Sequence, residues 1–156
     1  MVQEYLETMQ LKISFIDDKR PWGGFIGIEE SDIKDFTAIF FPGTEVPGLE
    51  RGGKLSPKIL LVEPGKRLSW QYHNRRAEVW KVLLGPVEIV ISDTDSQAAG
   101  ILFNEGDIIH IAREQRHRLI GLTSWGIIAE IWQHTDKDHP SDEEDIVRVK
   151  DDFGRE

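Results

Sequence analysis

The chain has 156 residues, a formal net charge of −9 and no cysteine. That length suits one domain with a sizeable core, and 39% hydrophobic residues with five tryptophans exclude a disordered chain. The lack of cysteine excludes disulfides, thiolate metal sites and cysteine nucleophiles, while the acidic balance argues against partners held through nucleic-acid phosphates. No apolar stretch approaches the roughly 20 residues of a membrane span. Residues 1–10 show neither the basic region nor the apolar core of an export signal. The expected setting is therefore the cytoplasm, with no membrane partner.

In chain order, short alternating or apolar runs predict strands at residues 11–16, 25–28, 36–41, 59–62, 68–72, 79–84, 87–91, 101–103, 107–111, 118–122 and 127–132. Turn signals separate them: Pro-Gly, Gly-Gly, Asp-Thr-Asp-Ser and Asn-Glu-Gly. Many short strands at close spacing, with no long helix-period segment between them, predict an all-β sandwich or barrel. Residues 42–57 hold glycines 43, 48, 52 and 53 and prolines 42, 47 and 57, and are expected to run over the surface or across a barrel mouth. Residues 135–145 are acidic, and Ser141-Asp-Glu-Glu144 has the form of a capping box that would open a short helix. The whole chain, 1–156, reads as one domain.

The chemistry concentrates in two segments. Gln71 and His73 are two apart, so on a strand they share a face. Glu78 follows a turn-like Asn-Arg-Arg-Ala and can return on the next strand to the same side. Glycines at 65 and 85 bracket this unit, and a second segment opening at Gly106-Asp107 leads to His117. Imidazole, amide oxygen and carboxylate together suit a divalent metal such as Zn, Fe, Mn, Ni or Co. The basic residues cluster beside these donors: Arg75 and Arg76, then Arg113, Arg116 and Arg118.

Gly65-x5-Gln71-x-His73-x4-Glu78-x6-Gly85 resembles the first cupin motif, with Gln in place of its first His. Gly106-x5-Ala112-x-Glu114-x2-His117 resembles the second, with Ala112 and Glu114 where Pro and Gly are usual. Three further pieces, Arg20-Pro-Trp-Gly-Gly-Phe25, Leu68-Ser-Trp-Gln-Tyr-His-Asn-Arg-Arg-Ala-Glu-Val-Trp80 and Asp145-Ile-Val-Arg-Val-Lys-Asp-Asp-Phe-Gly-Arg155, are similar in type and order to the type II mannose-6-phosphate isomerase cupin. That domain is often fused to a mannose-1-phosphate guanylyltransferase, whose Gly-rich nucleotide loop is not present here. The resemblance covers residues 19–155 and implies a jelly-roll β-barrel with a short C-terminal extension.

It also implies Zn held by Gln71, His73, Glu78 and His117, and an aldose–ketose isomerase working on mannose 6-phosphate or a related hexose or heptose phosphate through an enediol. Such a reaction needs a Lewis acid, a base tuned near the working pH, and cations for the phosphate. Arg148 matches the arginine of the family's Asp-Ile-Val-Arg run and is the expected catalytic cation, with Lys150 two residues on. His110, where the family usually has Tyr, is the candidate base if strand alternation turns it inward. Arg20, Arg76 and Arg118 are candidate substrate contacts. His134 and His139 read as surface residues. The competing reading is a metal-containing, non-catalytic sugar-binding or regulatory cupin. An iron dioxygenase is disfavoured by Gln71 and Glu78. A homodimer is the expected assembly.

Overall fold

A computed structural model describes residues 1–51 and 53–156; Gly52 of the 42–57 loop lies outside the described residues. Two helices and eleven strands follow in the order α1 (Val2–Thr8), β1 (Ile13–Arg20), β2 (Gly23–Ile28), α2 (Ile33–Phe40), β3 (Lys58–Val62), β4 (Trp70–Tyr72), β5 (Arg76–Leu84), β6 (Val87–Ser92), β7 (Ile101–Phe103), β8 (Ile108–Ile111), β9 (Arg116–Ile120), β10 (Gly126–His134) and β11 (Val147–Lys150). One sheet runs β1-β2-β3-β10-β5-β8 and the other β11-β4-β9-β6-β7. Every named strand pair is antiparallel. The sheets face one another as the two walls of a jelly-roll barrel, the all-β cupin architecture expected from the sequence. No described helix is long and apolar enough to cross a membrane.

The central strands of the six-stranded sheet, β2, β3, β10 and β5, are buried on both faces. The sheet's inner face, with Phe25, Leu60, Val62, Trp80, Val82, Ile109, Ile111 and Ile128, meets Leu68, Val87, Ile89 and Leu119 of the other half inside the barrel. Its outer face, with Ile26, Ile59, Val79, Ala129 and Ile131, packs under Leu6 of α1 and Phe36 and Phe40 of α2. Each fully buried aliphatic or aromatic side chain contributes roughly 1.5–3 kcal/mol of transfer free energy. The two cores explain why β5 and β10 read as almost continuous apolar runs rather than clean alternations.

Two expectations are corrected and a third is narrowed. Residues 36–41 do not form a strand: Ile33, Phe36, Thr37 and Phe40 fall at helical spacing, and the last three are buried on one face of α2. Of the two courses expected for the 42–57 loop, its described residues take the one over the outside of the barrel rather than across its mouth. Val46 and Leu55 tuck it into the outer core, and Glu30 fastens it by accepting the backbone N–H groups of Leu55 and Ser56. No helix begins at Ser141. Asp142 Oδ1 instead accepts the N–H groups of Glu144 and Asp145, closing a tight turn, and the Ser141 hydroxyl donates to Asp145. The chain then enters β11, which the strand pattern did not single out.

Of the bracketing glycines at 65 and 85, only Gly65 takes a left-handed turn, and Gly106 at the head of the second segment takes another. Gly65 and Gly106 sit at φ +71° and +92°, conformations that cost an L side chain about 1 kcal/mol or more.

Candidate metal centre

Register places the donors. Across the five-stranded sheet, Arg148 of β11, Gln71 of β4 and His117 of β9 lie directly opposite one another in a row. On the facing sheet Glu78 of β5 stands between Ile111 of β8 and Trp132 of β10. His73, just beyond β4, completes the group. His73, Glu78 and His117 are 2%, 2% and 1% exposed, and each offers one ligand atom within 4.8 Å of the others.

The hydrogen bonds fix how the imidazoles present themselves. His73 Nδ1 lies 2.7 Å from the Asp145 carbonyl and His117 Nδ1 lies 2.9 Å from the Gln115 carbonyl. A carbonyl only accepts, so each Nδ1 carries a proton and each Nε2 is the nitrogen turned into the site, the usual orientation of a metal-binding histidine. His73 Nε2 is 3.2 Å from Glu78 Oε1, and His117 Nε2 is 3.5 Å from Glu78 Oε2. His117 Nε2 and Glu78 Oε2 are buried without a hydrogen-bond partner.

Burial lowers His117 to about 4, with the Glu78 charge opposing and His73 adding to the lowering, so the ring is neutral at neutral pH. Burial by itself pushes the Glu78 carboxyl up, but His73 and Arg76 outweigh it and hold the group well below the ordinary carboxylate range. Arg76, a permanent cation, is the part of that pull which persists with neutral imidazoles. Arg76 already serves Glu78 Oε1 and His73 Nε2, but His117 Nε2 and Glu78 Oε2 face one another 3.5 Å apart, both buried and unpartnered, an arrangement that a cation between them would relieve. These residues therefore fit a divalent metal. Gln71 is opposite His117 and lines the same cavity; its Oε1 accepts the Ser69 hydroxyl at 2.5 Å.

The loop before His117 closes despite its unusual residues. Glu114 occupies φ +65°, the conformation a glycine would take there. Its N–H donates to the His73 carbonyl at 2.9 Å, tying the two histidine segments together.

A cavity of about 70 Å³ adjoins the donors. Five cations line it, Arg20, Lys58, Arg76, Arg148 and Arg155, against the carboxyls of Glu78, Glu130 and Glu143, so the local field opposes the acidic surface. Arg148 is half-buried with an unpartnered Nε and stands beside Gln71. Arg20 lines the cavity and pairs at 2.9 Å with Asp17. Arg76 is less free than a substrate contact should be. It donates to Glu78, to the Ser141 hydroxyl and the Asp142 carbonyl, approaches His73 Nε2 at 3.2 Å, and stacks 3.6 Å over Trp132.

Three candidates face elsewhere. His110 is exposed because Ile109 and Ile111, its neighbours on β8, take the inward positions; alternation turns it out of the barrel. Arg118 follows inward-facing His117 and so points away. It is buried against the Leu68 and Lys150 carbonyls and Gln97, a structural tie. Lys150 is exposed, because a register shift after Arg148 breaks the alternation, and it borders a separate cleft with Arg67 and Asp152.

The sequence reading missed Glu130. It lies on β10 opposite Trp80, two residues before Trp132 and diagonal to Glu78, 4% exposed. Its two oxygens accept the indole N–H groups of Trp80 and Trp132, each at 2.7 Å. Burial, then the Glu78 charge, push its carboxyl up to about 8, against the pull of Lys58 and Arg76. The signal was present in Ile128-x-Glu130-x-Trp132, an acid at an inward position between two large apolar residues.

The family model "Mannose-6-phosphate isomerase C-terminal" matches residues 29–151. The alginate biosynthesis protein AlgA of Pseudomonas aeruginosa is 29% identical over 125 residues, covering 80% of this chain and 24% of that protein. The mannose-1-phosphate guanylyltransferase of Escherichia coli K12 is 29% identical over 117 residues, covering 75% and 23%. The chain thus spans about a quarter of the length of these curated relatives. Among solved structures, the capsular polysaccharide assembling protein CapF of Staphylococcus aureus aligns with a TM-score of 0.56 at 12% identity, over 88% of this chain and 34% of that one. An oxalate oxidase in complex with glycolate aligns at 0.55 and 18%, over 85% and 58%. These two likenesses bear on the fold alone. With a family model spanning most of the chain and a buried His-Glu-His cluster in the cupin barrel, the chain belongs to the mannose-6-phosphate isomerase C-terminal family.

Proposed function

We propose that the chain is a metal-dependent aldose–ketose isomerase of sugar phosphates, of the mannose 6-phosphate/fructose 6-phosphate type or a related hexose or heptose phosphate. The observation that carries this reading is the buried His73-Glu78-His117 cluster set against a cationic cavity that Glu78 itself lines, together with a buried, up-shifted carboxyl, Glu130, and an arginine, Arg148, with an unpartnered Nε. Gln71, His73, Glu78 and His117 would hold the ion, and their mixed N/O donor set suits Zn. When bound, the ion supplies Lewis-acid polarisation of the sugar's carbonyl and hydroxyl oxygens.

The chain's own residues do the proton work. Glu130, rather than outward-facing His110, is the base. Each of its oxygens keeps a lone pair beyond the one given to an indole N–H. Its carboxylate takes the C2 proton of the aldose, leaving an enediolate, and returns that proton to C1, while the O2 proton passes to O1 and C2 becomes the carbonyl. A carboxyl tuned near neutrality suits both halves of that exchange. Arg148, beside Gln71, faces the enediolate charge. The indoles of Trp80 and Trp132 hold Glu130 in place and keep bulk water from it.

Deuterium incorporation at C2 of mannose 6-phosphate in D2O, with Zn-loaded protein, tests the proposal. Exchange in the wild type, lost by at least about 10²-fold in Glu130→Gln with metal content unchanged, supports it. Stoichiometric metal without exchange favours the alternative, a non-catalytic sugar-binding cupin. A second copy of the chain is the partner this reading carries, and light scattering on the 17.9 kDa chain reads it.

A further inference from the structure

Lys58 is the cation of the cavity whose environment is least explained by packing. Its side chain is 5% exposed, and its ammonium lies 3.9 Å from the Trp132 ring centroid and 4.9 Å from that of Phe25. Its ion partner is Glu143, at 2.5 Å, whose own side chain is 50% exposed. The pair is asymmetric. Glu143 returns to water at little cost, whereas a buried ammonium stripped of its anion is destabilising by several kcal/mol. Glu130 stands directly opposite Lys58 on β10, but the ion pair of Lys58 is with Glu143; Lys58 therefore needs an anion at that position, but not this one.

The pair is also a wall. Lys58, Trp132 and Glu143 line the inner cavity beside the metal donors, and the same three residues line an outer cleft of about 210 Å³ bounded by Phe15, Lys54, Ser56 and Pro57. The inner cavity, at about 70 Å³, is several-fold smaller than the ~300 Å³ at which small-molecule pockets begin. Joined, the two spaces come close to it.

The backbone around Glu143 does not open readily. The Asp142 carbonyl is held by Arg76, and Asp145 accepts the N–H groups of Asn74 and Arg75. The part free to move is the Glu143 side chain. Arg20 approaches the same Phe25 ring, at 5.2 Å, and carries its own partly exposed carboxylate, Asp17.

We propose that Lys58, with Arg20, is the binding site for the phosphate of the sugar phosphate, and that Glu143 occupies it as a resident anion which the ligand displaces, joining the inner cavity to the outer cleft. The sugar end then reaches the metal donors while the phosphate stays at the partition. This rests on the isomerase reading for the identity of the ligand, but the anion site can be tested without turnover.

The probe is inorganic phosphate, titrated calorimetrically into full-length Zn-loaded protein. Glu143→Gln keeps the shape and a hydrogen bond to Lys58 but removes the competing charge, and should tighten phosphate binding at least about tenfold. Glu144→Gln, one residue on and exposed, should change it less than twofold. Adding Lys58→Met to Glu143→Gln should erase the gain. Equal affinities for wild type and Glu143→Gln overturn the proposal, as does an equal gain from Glu144→Gln, which would mean only a general change of charge. Should the Lys58 variant not fold, the comparison of the two glutamine variants still decides. Tightened phosphate binding without C2 exchange would keep this site and sink the isomerase reading; exchange with unchanged phosphate affinity would do the reverse.

Discussion

At the scale of single residues, the site depends on tethers as much as on donors. Asp145 holds His73 through its backbone carbonyl while its carboxylate gathers the Asn74 and Arg75 N–H groups and the Ser141 hydroxyl. Burial raises its carboxyl, but Ser141 and those amides outweigh this and lower it. Asp145→Ala should release the segment that orients His73 and weaken Zn binding about 10- to 100-fold, read by competition with a chromophoric chelator; unchanged affinity would deny Asp145 that role. Glu114 supplies a prediction of opposite sign. Its side chain is exposed and its φ is +65°, so Glu114→Gly removes backbone strain and should raise stability by about 0.5–1 kcal/mol, or a few degrees in Tm. The donors proposed to hold the ion, Gln71, His73, Glu78 and His117, could be singled out because Gln71 and His73 stand two residues apart, on β4 and just past its end, and because the motif spacing survives in sequence. His110, Arg118 and Lys150 were not placed correctly because each depends on strand phase, which one register shift or one inward Ile reverses.

At the scale of elements, the strands were readable and the helices were not. The run Phe36-Thr-Ala-Ile-Phe-Phe41 is apolar enough to read as a buried strand, and its helical phase shows only when Ile33 is included. In the structure Phe36 is 0% exposed, with ring centroids 4.9 and 6.3 Å from Phe40 and Phe41. Phe36→Ala should cost about 3–5 kcal/mol in unfolding free energy, measured in urea. Because α2 covers the outer face of the sheet and not the barrel interior, the folded fraction of that variant should bind Zn as tightly as the wild type. A parallel loss of metal affinity would show the two faces to be coupled. β11 escaped notice for a related reason: Val147-Arg-Val-Lys150 is short and charged, and becomes a strand by pairing with β4, a contact that no local pattern announces.

At the scale of the whole molecule, an acidic chain encloses a cationic cavity, and one buried acid links that cavity to global stability. The Glu130 carboxyl is raised to about 8 in the folded state, first by burial and then by Glu78, whereas an unfolded glutamate titrates near 4.3. Between those values the folded protein holds a proton that the unfolded chain has released, so stability declines as pH rises through the window. The contribution is fully present below about pH 4 and lost as pH passes 8. Glu130→Gln removes this slope. The variant loses an acceptor for one indole N–H, so it should be less stable than wild type at pH 5, and the gap should narrow steadily toward pH 8.5. Urea unfolding of both proteins in chelator, so that no ion reshapes the field of Glu78, reads the difference directly. A gap constant with pH would mean that Glu130 is ionised throughout and unsuited to carry a proton between two carbons. A narrowing gap would tie the same carboxyl to stability and, if C2 exchange also depends on it, to chemistry: burial between two tryptophans tunes the base, and the fold bears the cost as alkaline lability.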